Sequence, residues 1–156
     1  MLKSSEYEIE LVRDFFSLKE YLESIDEDSN PPLSSIVDLE SYADKLLRNG
    51  IVFGVYREEK KIEGIIAGYC NDFSSHTSFV SQLYVDRAVR RLGLGKTLLR
   101  HFEKFSKEYG MCFLKLMVNK SNVIAIEFYK ENGLGITGES ETQFEMTKKI
   151  SNFMED

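Results

Sequence analysis

The hydrophobic positions change period several times along the chain, and each change marks an element. Leu11, Phe15, Leu18, Leu22 and Ile25 follow at alternating spacings of four and three, one face of a helix over about residues 10–26. A short strand over 7–10 competes for the start of that stretch. Residues 26–32 form a loop, because Pro31 and Pro32 lack donors and fix the backbone. Asp38 is placed to cap a second helix with an apolar face of Leu39, Tyr42, Ala43, Leu46 and Leu47, ended by Asn49-Gly50. Ile51–Tyr56 reads as a strand, 57–61 as a charged turn, and 62–70 as a strand so continuously apolar that it belongs at the centre of a sheet. Gly64 and Gly68 within it signal a bulge or a close backbone approach. After a polar loop over 71–76, Thr77–Val85 mixes β-branched, aromatic and apolar residues as a half-buried strand does. From Leu94 the period returns to that of a helix through Leu98, Phe102, Phe105 and Tyr109. A strand over 111–118, a helix over 121–132 stopped by Gly133, and a closing pair of strands over 134–138 and 144–150 complete the chain. No repeat, low-complexity segment or linker interrupts it, so residues 1–156 are expected to form one domain. Hairpins with inserted helices imply a mixed α+β fold, its sheet covered by helices on both faces.

Composition narrows the function. The 156 residues suffice for a buried core. The first thirty carry charges too closely spaced for a secretory segment, and no apolar run approaches the roughly 18 residues of a membrane span. With 26 acidic against 20 basic residues and a net charge of -6, broad nucleic-acid binding is not expected. Cys70 and Cys112 are far apart and share no metal-ligand spacing with His76 and His101. They read as reduced structural thiols of a cytoplasmic protein, with no metal site.

Against that acidic background, residues 83–96 reverse the sign: Arg87, Arg90, Arg91 and Lys96, with Arg100 just beyond, are opposed only by Asp86. Gly93 and Gly95 stand where strand gives way to helix. The first N–H groups of a helix lack internal partners and carry the positive end of its dipole, so this point suits a phosphate. It is not a P-loop, because Arg90 stands where the first glycine is needed. It is not a dinucleotide fingerprint either, because Leu98 occupies the place of the third glycine. A strand-to-helix turn with solvated arginines would look the same on this stretch alone.

Arg90-Arg91-Leu92-Gly93-Leu94-Gly95 resembles the R/Q-x-x-G-x-G/A signature of the GNAT superfamily of N-acetyltransferases. A second stretch resembles that family's later motif: Asn122, Ala125, Phe128, Tyr129 and Gly133 match, with Leu134 where Phe is usual. Both motifs stand in the expected order, and the resemblance covers about residues 50–135. It implies a mostly antiparallel mixed sheet splayed between two parallel strands, here 77–85 and 111–118. It implies acetyl-CoA as co-substrate: the pantetheine arm along backbone near Leu83 and Val85, the pyrophosphate on the loop of Arg90, Arg91, Leu92, Gly93, Leu94, Gly95 and Lys96. Asn122 bonds the arm or holds the loop; as a plain helix cap it needs no ligand. Tyr129 is implied as general acid toward the departing thiolate, since a phenol with a pKa of about 10 stays protonated at neutral pH. The Val85 N–H is expected to polarise the thioester carbonyl.

The base is open. Relatives place a Glu near the end of the strand before the loop, but the residue before Leu83 is Gln82, leaving His76 or Asp72 through water. The acceptor is expected to be a small primary amine such as an amino sugar, polyamine or amino acid. By family analogy, 30–34, Tyr69 and 71–73 line its pocket. A non-catalytic coenzyme A-binding module and a protein N-acetyltransferase are the competing readings, and a homodimer is compatible with the resemblance.

Overall fold

The computed structural model describes residues 3–29, 31–58 and 61–151. Seven strands form one mixed sheet, β1 (Glu8–Leu11), β2 (Ile51–Tyr56), β3 (Ile62–Asp72), β4 (Thr77–Val85), β5 (Phe113–Asn119), β6 (Gly135–Glu139) and β7 (Gln143–Lys149), in the order β1-β2-β3-β4-β5-β7-β6. The helices are α1 (Phe15–Ile25), α2 (Leu39–Asn49), α3 (Leu94–Glu108) and α4 (Val123–Glu131). The chain divides into two compact units, one of residues up to Gly68 with Gln82–Leu99, the other of Tyr69–Ser81 with residues from Arg100 on.

In the first unit β1 runs antiparallel to β2, and β2 to β3. The short strand before the first helix therefore exists, and the helix begins at Phe15 rather than near residue 10. Leu11 belongs to β1 and is half exposed, so it is not part of the helical face expected of it. The physical cause is Asp14, whose carboxylate accepts the Ser17 N–H at 2.9 Å and fixes where the helix starts. Leu18, Tyr21, Leu22 and Ile25 are buried instead. Asp38 caps α2 as expected, accepting the Ser41 N–H at 3.0 Å. Only Ala43 and Leu46 of that helix are fully buried. Each buried leucine contributes about 2 kcal/mol of transfer free energy.

Both cap carboxylates are held below the usual aspartate range by their hydrogen bonds to serine. A carboxylate whose pKa is depressed by folding stabilises the fold above its unfolded pKa of about 4, and that contribution is lost as pH falls through the folded value. The melting temperature is accordingly expected to hold from pH 7 to about 5 and to drop below about 4. Asp38→Asn, which keeps the acceptor but removes the charge, should flatten that drop.

Strand β3 occupies the central place its apolar run demanded, and it continues through Asn71 and Asp72, which the pattern assigned to a loop. Gly64 is the close approach expected: a Cβ there would lie 3.1 Å from the Tyr84 carbonyl oxygen. The register steps from Val55↔Gly64 to Tyr56↔Ile62, so the extra residue is Glu63, beside the glycine.

In the second unit β4 and β5 pair in parallel from Thr77↔Phe113 to Val80↔Leu116. Strand β4 continues to Val85 beyond the end of that register. β5 pairs on its other side with β7, setting Leu116 opposite Met146, both buried. Phe102, Met111 and Leu114 complete this core. Tyr109 lies past the end of α3 and is exposed, its ring edge-on to Phe105, and Gly110 at φ +83° closes the helix after it. Both cysteines are free: Cys112 is buried, and Cys70 is half-buried with its Sγ 3.4 Å from Ser106 Oγ. Burial pushes the Cys70 thiol above its ordinary pKa.

Candidate active site

The first unit carries the predicted phosphate loop. Asp86 follows the last residue of β4 and leads into one turn of 3₁₀-helix, Arg87–Val89. Arg91 (φ +73°) and Gly93 (φ +79°) are both left-handed. For arginine that conformation is costly and persists only where its surroundings fix it. A Cβ on Gly93 would meet nothing within 4 Å, so the backbone there faces open space. Helix α3 follows at once. Its first turn is closed by Thr97, which donates through N–H (3.0 Å) and Oγ1 (2.9 Å) to the Gly93 carbonyl. Leu94 is buried and anchors the helix, Leu92 and Gly95 are half-buried, and Arg91, Lys96 and Arg100 are exposed. Unsatisfied N–H groups at a helix start, left-handed glycine and exposed cations make a fit receptor for a phosphate.

The strand before the loop presents its backbone in alternation. The Asp86 N–H donates to the Glu63 carbonyl at 2.9 Å, and the Tyr84 carbonyl faces Gly64. Even-numbered residues thus spend their backbone groups on β3, and by the two-residue period Leu83 and Val85 turn theirs to the other edge. Those are the two positions expected to receive a pantetheine arm. Arg90 is not a free side chain. Its Nε donates to the Val85 carbonyl at 2.8 Å and its guanidinium lies 5.1 Å from the Tyr84 ring centroid.

Several polar residues around this loop were not singled out from the sequence. Tyr21 donates to Asp86 Oδ1 at 2.6 Å, Tyr84 donates to Asp28 Oδ2 at 2.6 Å, and Arg87 pairs with Asp28 at 3.4 Å. Glu63 is buried and accepts from Arg57 at 3.2 Å. Of these, Arg87 and Asp86 left a signal in the sequence, as a member of the basic stretch and as the one acid within it. A separate open depression lined by Phe15, Asp38, Glu40, Ser41 and Asp44 contains none of the expected site residues.

The second unit carries the later motif. Asn122 is the N-cap of α4, its Oδ1 accepting the Ala125 N–H at 3.1 Å, so the capping role open to it is realised. Tyr129 sits on α4 with its ring edge-on to Phe128, and burial pushes its phenol up to about 12. The Asp72 carboxylate accepts from Ser74 and from both N–H and Oγ of Ser75, which holds it below the usual range. A carboxylate so stabilised in its charged form is a poor proton acceptor. His76 has φ +52°, and its carbonyl accepts from the N–H groups of Cys112 and Phe113. Asn30 of the expected acceptor pocket, and Glu59 and Lys60 of the charged turn, lie outside the described residues.

This succession of fold, glycine loop and later helix is that of an acyl-transfer family. Residues 15–134 match the model of the acetyltransferase (GNAT) family, and the chain belongs to that family. It is 28% identical over 113 residues to the catalytic subunit of the N-terminal acetyltransferase B complex of Schizosaccharomyces pombe, covering 62% of this chain and 63% of that one. It is 32% identical over 68 residues to the spermidine N(1)-acetyltransferase of Thermoplasma acidophilum, covering 44% and 42%. The match thus spans less than two thirds of the length of these curated relatives. Among solved structures, the PaiA N-acetyltransferase of Thermoplasma acidophilum in complex with coenzyme A superposes with a TM-score of 0.71 at 22% identity, over 91% of this chain and 99% of that one.

Proposed function

We propose that the chain is an acetyl-CoA-dependent N-acetyltransferase, a single catalytic domain in which a small primary amine attacks the thioester directly. The observation that carries this reading is the loop at Arg91–Gly93, left-handed at both ends, open to solvent and set against the start of α3. The backbone from Arg91 to Lys96 receives the pyrophosphate. Leu83 and Val85 receive the pantetheine arm, with Asn122 holding the start of α4. Bound acetyl-CoA supplies the activated acetyl group, and the solved relative in complex with coenzyme A supports that choice. The Val85 N–H polarises the carbonyl under attack.

Tyr129 is the proton donor. A phenol at about 12 stays protonated throughout the working range. Full transfer to a thiolate whose own pKa is about 8.5 would be uphill by about 5 kcal/mol, so the hydroxyl acts mainly by hydrogen-bonding the departing sulfur, and the proton shed by the attacking nitrogen as the amide forms passes, directly or through water, to that thiolate. The two free cysteines support a reducing, cytoplasmic setting.

An acceptor amine with a pKa near 10 is charged at neutral pH, and presenting it neutral costs about 4 kcal/mol. With Asp72 engaged by serines, His76 is the candidate base that remains; in the mechanism proposed, the neutral amine is drawn from solution instead. The value of kcat/KM for such an amine is expected to rise about tenfold per pH unit from 7 to 9. A plateau setting in near pH 7 would instead reveal a base in the protein.

The deciding experiment measures thiol release from acetyl-CoA with amino sugars, polyamines, amino acids and short peptides as acceptors. The spermidine-acting relative favours polyamines, and a response to small amines is expected. A second reading, acetylation of a protein chain terminus, is favoured by the yeast relative and would appear as preference for peptides. Silence across the panel, with acetyl-CoA still raising the melting temperature, would make the chain a coenzyme-binding module.

A further inference from the structure

The loop that reads as a phosphate cradle contains one acid, and that acid is tied down. Asp86 is held at three points: its N–H on the Glu63 carbonyl at 2.9 Å, its carbonyl by the Val89 N–H at 3.1 Å, and its carboxylate by the Tyr21 hydroxyl at 2.6 Å. The first two bonds belong to the sheet and to the 3₁₀ turn. The third reaches back to α1, where Tyr21 is 6% exposed. The carboxylate does no capping of the turn it precedes, so Tyr21 is the partner that fixes its direction.

We propose that Tyr21, through its buried hydrogen bond to Asp86, is a positioning residue that sets the glycine loop for the phosphates of the coenzyme. This rests on the reading of that loop as the phosphate site. The bond acts in two ways. It fixes the exit of β4, and hence the path into left-handed Arg91, a conformation that relaxes unless its neighbours hold it. It also commits the one acidic group of the stretch to a phenol. Arg87 pairs with Asp28 and Arg90 bonds Val85, so neither draws the Asp86 carboxylate into the loop. Burial raises the Tyr21 phenol well above its ordinary pKa, and the carboxylate beside it acts in the same direction, so the hydroxyl remains a donor at every working pH.

Both effects bear on the loop that holds the phosphates, and whatever reaches the neighbouring Val85 acts alike on a donor with phosphates and one without, and cancels in their ratio. The test therefore compares two acetyl donors, acetyl-CoA and S-acetylpantetheine, which carries the same thioester and arm without the phosphates. The ratio of their kcat/KM values is measured for the parent, Tyr21→Phe, Asp86→Ala and Asp86→Asn. Tyr21→Phe is expected to lower the ratio about tenfold, the loss of one charge-assisted hydrogen bond, through acetyl-CoA alone. Asp86→Ala should fall with it, while Asp86→Asn, which keeps an oxygen for the hydroxyl, should stay close to the parent. An unchanged ratio in Tyr21→Phe, or an equal loss on both donors, overturns the proposal, since a bond that merely stabilises the fold affects both donors alike. If Tyr21→Phe does not fold, the contrast between Asp86→Ala and Asp86→Asn decides alone. A parent with no preference for acetyl-CoA over S-acetylpantetheine overturns the phosphate site itself.

Discussion

Gly93→Asp abolishes the rise in melting temperature that acetyl-CoA is expected to give. The position separates binding from folding. Its φ of +79° is one that aspartate tolerates better than most residues, and an added Cβ meets nothing within 4 Å. The variant should therefore fold, with a melting temperature a few degrees below the parent's for the strain of a side chain at that φ. What it adds is a carboxylate where the coenzyme's phosphates are proposed to lie. At about 4 Å and an effective dielectric near 20, each like-charge pair costs about 4 kcal/mol, enough to weaken binding by roughly a thousandfold. For the parent, coenzyme at a hundred times its Kd should add about 2.7 kcal/mol of stability, and the variant should add none. Gly93→Asn, with the same shape and no charge, should retain part of the shift. A Gly93→Asp protein that still gains stability from acetyl-CoA would remove this loop from the site.

Tyr129→Phe gives the opposite pattern, with binding intact and turnover slowed. The substitution deletes one oxygen from a ring that packs edge-on against Phe128, so the helix keeps its contacts. The melting shift with acetyl-CoA should match the parent's within a degree or so. Turnover should fall about a hundredfold, the low end of what a positioned proton donor contributes, because a phenol at about 12 helps through its hydrogen bond more than by yielding its proton. The same value predicts that the parent's rate shows no loss from Tyr129 ionisation below pH 10. A variant as fast as the parent would leave the departing thiolate to solvent and take Tyr129 out of the mechanism.

Much of this arrangement was legible in the sequence, for reasons that differ by element. Asp38 and the apolar positions behind it announce α2 because a cap and a helical period are local signals. Strand β3 shows itself through an unbroken apolar run, which only a central place in a sheet explains. The glycine loop is legible because its chemistry sits in six consecutive residues. Strand β1 is legible only as one of two competing readings of its stretch, since its four residues carry no alternating burial and owe their conformation to partners on β2. Leu11 consequently suggested a helix that the Asp14 cap starts later. The bond from Tyr21 to Asp86 joins residues 65 apart, and neither one's neighbours hint at the other. Arg90 illustrates the same limit from the other side. A motif places it beside the phosphate loop, but only the folded chain reveals that its Nε is spent on the Val85 carbonyl.

The two free thiols bear on how the enzyme's own product can be read. Reagents that report free coenzyme A by its sulfur attack thiolates, and they would report the protein as well if its cysteines were exposed and acidic. Cys112 is buried and Cys70 is half-buried with its ionisation suppressed, so the folded chain is close to silent toward such a reagent. The same chain becomes visible to it on unfolding. One colour reaction thus counts turnovers in the native protein and, in the absence of acetyl donor, counts unfolded molecules.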